Sequence, residues 1–129
     1  MNIRRVVLDT NILVSALLSP TGNPARIYKM FLTGVLSLVL SRDIFEEYQE
    51  VLQRPRLRIP ANDAKTVLAA VWLYGEKITP FPSTNAMIDE DDRVFYDTAK
   101  TADAYLITGN KKHYPHEPFI LTPKEFWEL

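Results

Sequence analysis

The sequence predicts an α/β domain, a parallel sheet flanked by helices, and three observations carry that prediction. Apolar runs of strand length recur along the chain, including RVVL at 5–8, LSLVL at 36–40 and AYLIT at 104–108. Between them lie stretches of helical periodicity, the alternation that returns each strand beside another in parallel. Turn formers such as Pro20, Gly22, Gly34, Pro55 and Pro60 punctuate the joins.

Taken in order, Arg5 to Leu8 reads as the first strand and Asn11 to Leu18 as a helix stopped by Pro20 and Gly22. Asn23 is the expected cap of a second helix, with Pro24 at its first position and Gly34 closing it after Leu32. Leu36 to Leu40 is the second strand. Ser41 caps a helix to about Gln53, Pro55 and Pro60 bracket a loop, and Asn62 opens a helix to about Tyr74. A short strand is expected near Lys77 to Thr79. After a Pro- and Ser-containing turn at 80–85, the acidic cluster IDEDD opens a helix to about Ala102; Ala104 to Thr108 and Pro118 to Leu121 complete the strands. No repeat, low-complexity tract or linker divides the chain, so residues 1–129 are read as one domain.

Composition excludes more than it identifies. With 129 residues, 47% hydrophobic and 24% charged, the chain is sized to bury roughly two-thirds of its unfolded surface around one core. Zero cysteines exclude disulfides, redox thiols and cysteine-ligated zinc. A formal net charge of −1 argues against a strongly basic nucleic-acid binder and leaves room for a local basic patch. Met1 to Leu18 is a poor match to a secretory leader, because Asp9 breaks its apolar run and no Ala-x-Ala follows. The longest apolar run, VLAAVWLY, has eight residues where a membrane span needs about twenty. A soluble, cytoplasmic protein is expected.

The segment VVLDTNILVSALLS interrupts itself with Asp9, Thr10 and Asn11 where an apolar run should be strongest. In an open parallel sheet, ligands bind beyond the carboxyl ends of the strands, near the point where strand order reverses, and Asp9 would face that crevice. Helix capping by Asp9 or Asn11 is the competing explanation. Two further carboxylates weigh against it. Ile44, Phe45, Tyr48, Val51 and Leu52 form one helical stripe, and Glu47 is the carboxylate of its helix closest to that stripe. Asp92 precedes Phe95 and Ala99 by three and seven residues and borders the apolar face of its own helix, whereas Asp97 is expected to point away. Asp91 lies near the same face, and periodicity leaves it open.

LDTNILVSALL, SRDIFEEYQEVLQRP and DEDDRVFYDTAKTADAYLITGNKKHYP together resemble the PIN domain, most closely the small prokaryotic PIN proteins that act as toxins in toxin–antitoxin pairs, related to the VapC type. The likeness covers nearly the whole chain and rests on an ordered set: the opening Asp-x-Asn, a helical Glu, and an Asp eighteen residues before the residue that follows Thr-Gly. It implies a three-layer α/β/α sandwich with a central parallel sheet. It also implies that Asp9, Glu47 and Asp92 match the family's metal-binding carboxylates, with Asn11 and Ser15 at polar positions beside the first. Asn110 stands where many members carry a fourth Asp, which removes a negative charge and weakens the case for a second metal. Endoribonuclease activity on single-stranded or looped RNA, a homodimer and a cognate antitoxin are implied by the resemblance alone.

The chemistry suits these residue types. Converging carboxylates require a counter-charge, which a hard divalent cation supplies through oxygen ligands; magnesium is the natural candidate and manganese a workable substitute. Asp9 and Asp92 are the expected direct ligands, Glu47 binds directly or through water, and Asn110 is a neutral acceptor able to orient a water. Thr108 joins Asn11 and Ser15 as supporting polar residues. Arg54, Arg56 and Arg58, with Lys111, Lys112 and His113, are candidates for holding a phosphate backbone or, equally, solvated loops. His113 and His116 have no persuasive histidine metal-site spacing. Trp72 and Trp127 read as core or interface anchors.

Two rival functions remain. An aspartyl-nucleophile phosphohydrolase of the haloacid dehalogenase class also places an Asp after an apolar strand, but its usual second Asp is Asn11 here. A PIN scaffold that binds RNA or protein without cutting is kept open by Asn110. The four glycines form neither a P-loop nor a dinucleotide fingerprint, and no Gly-x-Ser-x-Gly turn exists.

Overall fold

The computed structural model describes residues 4–129. The beginning of the leader-like segment, and of the 1–129 domain, lies outside the described residues. Five parallel strands form the sheet: β1 (Arg4–Leu8), β2 (Leu36–Leu40), β3 (Glu76–Lys77), β4 (Tyr105–Ile107) and β5 (Ile120–Leu121), in the order β3-β2-β1-β4-β5. The helices flanking it are α1 (Thr10–Leu18), α2 (Asn23–Leu32), α3 (Arg42–Leu52), α4 (Ala61–Tyr74), α5 (Arg93–Ala102) and α6 (Pro123–Trp127). Short 3-10 turns span Pro55–Leu57, Glu90–Asp92 and Lys111–His113.

Strand order reverses between β1 and β4, whose register pairs Val6, Val7 and Leu8 with Tyr105, Leu106 and Ile107. Residues just past these two strands, Asp9 and Thr108, therefore emerge side by side at the switch point. Val6, Val7, Leu8, Leu38, Val39, Leu40, Leu106 and Ile107 are all buried, the near-continuous apolar character expected of parallel strands covered on both faces. Helix α5 packs on β1, β2 and β4, α1 and α6 on α2, and α4 on α3.

Several boundaries differ from expectation for local reasons. Helix α1 begins at Thr10, directly after Asp9, and Gly22 rather than Asn23 occupies the cap position of α2, which places Asn23 and Pro24 inside the first turn. Likewise α4 opens at Ala61 after Pro60. The third strand is Glu76–Lys77, displaced toward the N-terminus, although the Ile78 amide still donates to the Leu40 carbonyl. Helix α6 was not anticipated, and its start signal is plain: Thr122 and Glu125 form a reciprocal capping box around Pro123. Trp72 and Trp127 are half-exposed rather than core, covered by Lys77 and Arg26 respectively.

Asp97 is a correction. Expected to point away, it is buried, because the irregular segment at 79–88 crosses the outer side of α5 and covers it. The Ser83 amide donates to Asp97 Oδ2 at 3.3 Å, the Phe81 amide donates to Thr101, and Arg93 donates to the carbonyls of Ser83 and Asn85. A helical wheel assumes one buried side; here the strap creates a second.

Gly75, between α4 and β3, is required by close approach rather than by backbone freedom, since its φ is −71°. A Cβ there would sit 2.4 Å from the Val71 carbonyl oxygen and 2.6 Å from Leu40 Cδ2. Gly75→Ala is therefore expected to cost about 1–3 kcal/mol of stability, measured by urea unfolding, whereas Gly109→Ala, where no heavy atom stands within 4 Å, is expected to cost far less.

Candidate functional site

Asp9 occupies the cap position of α1 yet its side chain makes no capping bond. Its Oδ2 instead accepts hydrogen bonds from Thr108 Oγ1 at 2.8 Å and from the Tyr114 hydroxyl at 3.1 Å. Asp92 repeats the pattern. It precedes α5 without capping it, while Asp89 takes the local turn role by accepting from the Asp91 amide. Side-chain capping thus fails for Asp9 and Asp92, and holds for Asp89.

Glu47 reaches the same region from α3. As its position beside the apolar stripe predicts, it is half-buried, whereas Asp43, Glu46 and Glu50 are exposed. Two contacts set its place. The Tyr48 hydroxyl donates to the Leu8 carbonyl at 2.5 Å, and Thr10 Oγ1 donates to Glu47 Oε2. These bonds fall on either side of Asp9 and draw α3 onto the end of β1.

The electrostatics record the convergence. Burial raises the Glu47 carboxyl, the Thr10 bond opposes this, and the charges of Asp9, Asp91 and Glu50 raise it further. Asp92 is pushed up to about 6, first by burial and then by Asp9 and Asp89; the His113 imidazole, with Nδ1 at 3.7 Å from Asp92 Oδ2, partly offsets them. Burial, followed by the Asp9 and Asp92 charges, drives the Tyr114 phenol far above its ordinary value, so it stays protonated and donates. The carboxylates feel one another without closing into a cage: among the described residues no three His, Asp or Glu side chains gather tightly enough to hold a metal ion by themselves.

The other expected residues divide. Thr108 is fully buried at the centre of the site. Asn110 contributes its amide, which donates to Thr108 Oγ1 at 3.0 Å, while its side chain is exposed. Asn11 and Ser15 lie one turn apart on the exposed side of α1 and make no described side-chain hydrogen bond to the carboxylates. Arg54 pairs with Glu50 at 2.7 Å, and that bond, supplemented by the Glu50 and Glu47 charges, raises its guanidinium further. Lys111 pairs with Glu125 at 3.0 Å. Arg56, Arg58 and Lys112 are exposed without an acidic partner among the described residues. Sequence reasoning missed the roles of Thr10 and Tyr114; Thr10 stood inside the polar interruption, while Tyr114 carried no local signal.

Because the folded-state value of Asp92 lies above its unfolded value, its contribution to stability is most favourable below about pH 4 and is lost as pH rises through about 6. In chelator, Asp92→Asn should melt no higher than the parent near pH 4 and a few degrees higher by about pH 7–8. A carboxylate that served only as a cap would give the opposite sign at neutral pH.

Comparison with known proteins places the fold. Residues 5–112 match a family model described as PIN domain. An uncharacterized protein of Methanocaldococcus jannaschii is 30% identical over 110 residues, which cover 83% of this chain and 71% of that protein. The fold is similar to the crystal structure of VapBC2 from Rickettsia felis bound to a DNA fragment from their promoter, with a TM-score of 0.61 and 16% identity over 92% of this chain and 96% of that one. A match through most of its length, on a sheet whose switch point gathers the acidic residues, means that the chain belongs to the PIN domain family.

Proposed function

We propose that this protein is a metal-dependent endoribonuclease that hydrolyses RNA phosphodiester bonds and acts as the toxin of a toxin–antitoxin pair. The single observation that carries the reading is the release of Asp9 and Asp92 from helix capping into one region with Glu47, with Asp92 raised to about 6 by burial and like charge. Such a site favours a hard divalent cation, and its donors fit one: all are oxygens, and their repulsion falls when a cation binds. Asp9 and Asp92 would hold magnesium or manganese, with Glu47 engaged directly or through water. The chemistry such an ion supplies when bound is activation of a water and neutralisation of charge on the phosphoryl oxygens and leaving group.

The protein's own residues do the rest. Thr108 and Tyr114 fix the Asp9 carboxylate, Thr10 fixes Glu47, and the Asn110 amide fixes Thr108. Exposed Asn110 is a neutral acceptor for an attacking water. Arg56, Arg58 and Lys112 are free to meet phosphates, whereas Arg54 and Lys111 would first have to leave Glu50 and Glu125.

The proposed partners are an RNA substrate, a cognate antitoxin and a second copy of the chain; the VapBC2 neighbour supports the antitoxin, and the RNA substrate and second copy rest on the family resemblance. Among the described residues no helix is long and apolar enough to cross a membrane, and the cytoplasm is the proposed location. A non-cutting PIN scaffold draws support from uncharged Asn110 and from the open arrangement of the carboxylates. Incubating the protein with RNA pools in magnesium, manganese or chelator separates the two: scission that requires metal supports the nuclease, and equal RNA retention without scission supports the scaffold.

Glu47→Gln is expected to lower metal affinity and cleavage about 10- to 100-fold while Glu46→Gln leaves both near the parent's values, read by metal titration and by RNA cleavage. Replacing Arg56 and Arg58 with Ala should weaken RNA binding across sequences and flatten its logarithmic salt dependence by roughly 0.7 per lost contact to single-stranded RNA. Cleavage at saturating RNA should persist in that variant; an unchanged salt slope would assign both arginines to solvent.

A further inference from the structure

The Asp9 carboxylate is asymmetric. Both described donors, Thr108 Oγ1 and the Tyr114 hydroxyl, bond the same oxygen, Oδ2, and no donor among the described residues reaches Oδ1. Neither hydroxyl is free to turn elsewhere. Thr108 Oγ1 accepts the Asn110 amide hydrogen, which leaves its one proton for Asp9. Tyr114 is buried in the core immediately after the Lys111–His113 turn, and its hydroxyl donates to Asp9 Oδ2. By contrast, the Asp92 carboxylate accepts no side-chain hydrogen bond among the described residues, and the His113 imidazole stands 3.7 Å from it, beyond hydrogen-bonding range.

From this asymmetry we infer that Tyr114 is a positioning residue that confines Asp9 to a single ligating oxygen, Oδ1, and so makes the site discriminate a magnesium-sized cation from calcium. The inference rests on the metal-site reading above and adds a determinant of cation choice. Calcium takes six to eight oxygens and commonly grips a carboxylate through both, whereas magnesium is held in octahedral geometry by few carboxylate oxygens and keeps its waters. With two donors on Oδ2, a two-oxygen grip on Asp9 requires breaking a buried hydrogen bond. With Tyr114→Phe the ring still fills its place and one lone pair of Oδ2 is released.

The test is thermal melting of the full chain titrated with magnesium chloride or calcium chloride, from a chelator baseline, for the parent, Tyr114→Phe and Tyr96→Phe. Tyr96 donates to Glu117 at 3.0 Å and controls for loss of a phenol hydroxyl outside the site. The expected result is a ratio of apparent magnesium to calcium affinity that falls about tenfold in Tyr114→Phe, the lower end of what loss of a ligand's hydrogen-bond partner costs, and is unchanged in Tyr96→Phe. A purely structural role would lower the chelator baseline of Tyr114→Phe and leave the ratio at the parent's value. That result, with magnesium still stabilising the parent and supporting its cleavage, overturns the inference and leaves the nuclease reading standing. A parent that gains no stability from either salt overturns both.

Discussion

The hydrogen bond from the Tyr48 hydroxyl to the Leu8 carbonyl joins a fully buried side chain of α3 to the last residue of β1, where the strand's own ladder ends. A carbonyl at that point needs a partner, since a buried acceptor left unpaired costs about 1–3 kcal/mol. By supplying it, Tyr48 fixes both the distance and the rotation of α3 against the sheet. Glu47, its neighbour in sequence, is thereby carried beside Asp9, and Thr10 completes the attachment. The acidic site follows from this packing: a helix docked for core reasons brings a carboxylate to the sheet's switch point.

Once assembled, the site stands in tension with the core that holds it. Strand burial, the Tyr48 clamp and the sheet register gather groups whose charges repel, and the burial that fixes their positions also strips their water. The hydroxyls of Thr10, Thr108 and Tyr114 offset part of that loss by donating to carboxylate oxygens. Charge-assisted bonds of this kind, worth about 1.5–3 kcal/mol each, are large enough to keep two of the three carboxylates in place. Among the described residues Asp92 has no such donor, and its carboxyl rises to about 6.

What could be read from sequence was whatever a short window encodes. Apolar runs located the strands, the stripe from Ile44 to Leu52 singled out Glu47, and the polar break after Leu8 marked the end of β1. Periodicity failed at Asp97 because a distant strap, not the sheet, buries it. It also said nothing of Tyr114, since an aromatic residue in a short turn reads as ordinary core and its partner is 105 positions away. Capping, the bland explanation for Asp9, could not be rejected from the sequence either; only the direction of the side chain separates a cap from a site residue. The VapC-related resemblance supplied the missing long-range information for Asp9, Glu47 and Asp92 together, and none for the hydroxyls that hold them.

The placement of β1 between β2 and β4 also governs the order in which the chain can assemble. Its pairing with β2 joins segments some thirty residues apart, whereas its pairing with β4 and the bonds from Thr108 and Tyr114 to Asp9 span about a hundred. Contacts of such sequence separation bear a large loop-closure entropy and form slowly. A chain emerging from its N-terminus can dock α3 on β1 early, bringing Glu47 to Asp9, but cannot complete the Asp9 cradle until residue 114 is available. The arrangement acts as a built-in delay: the acidic centre is finished late, when all of the domain but β5 and α6 exists to contain it.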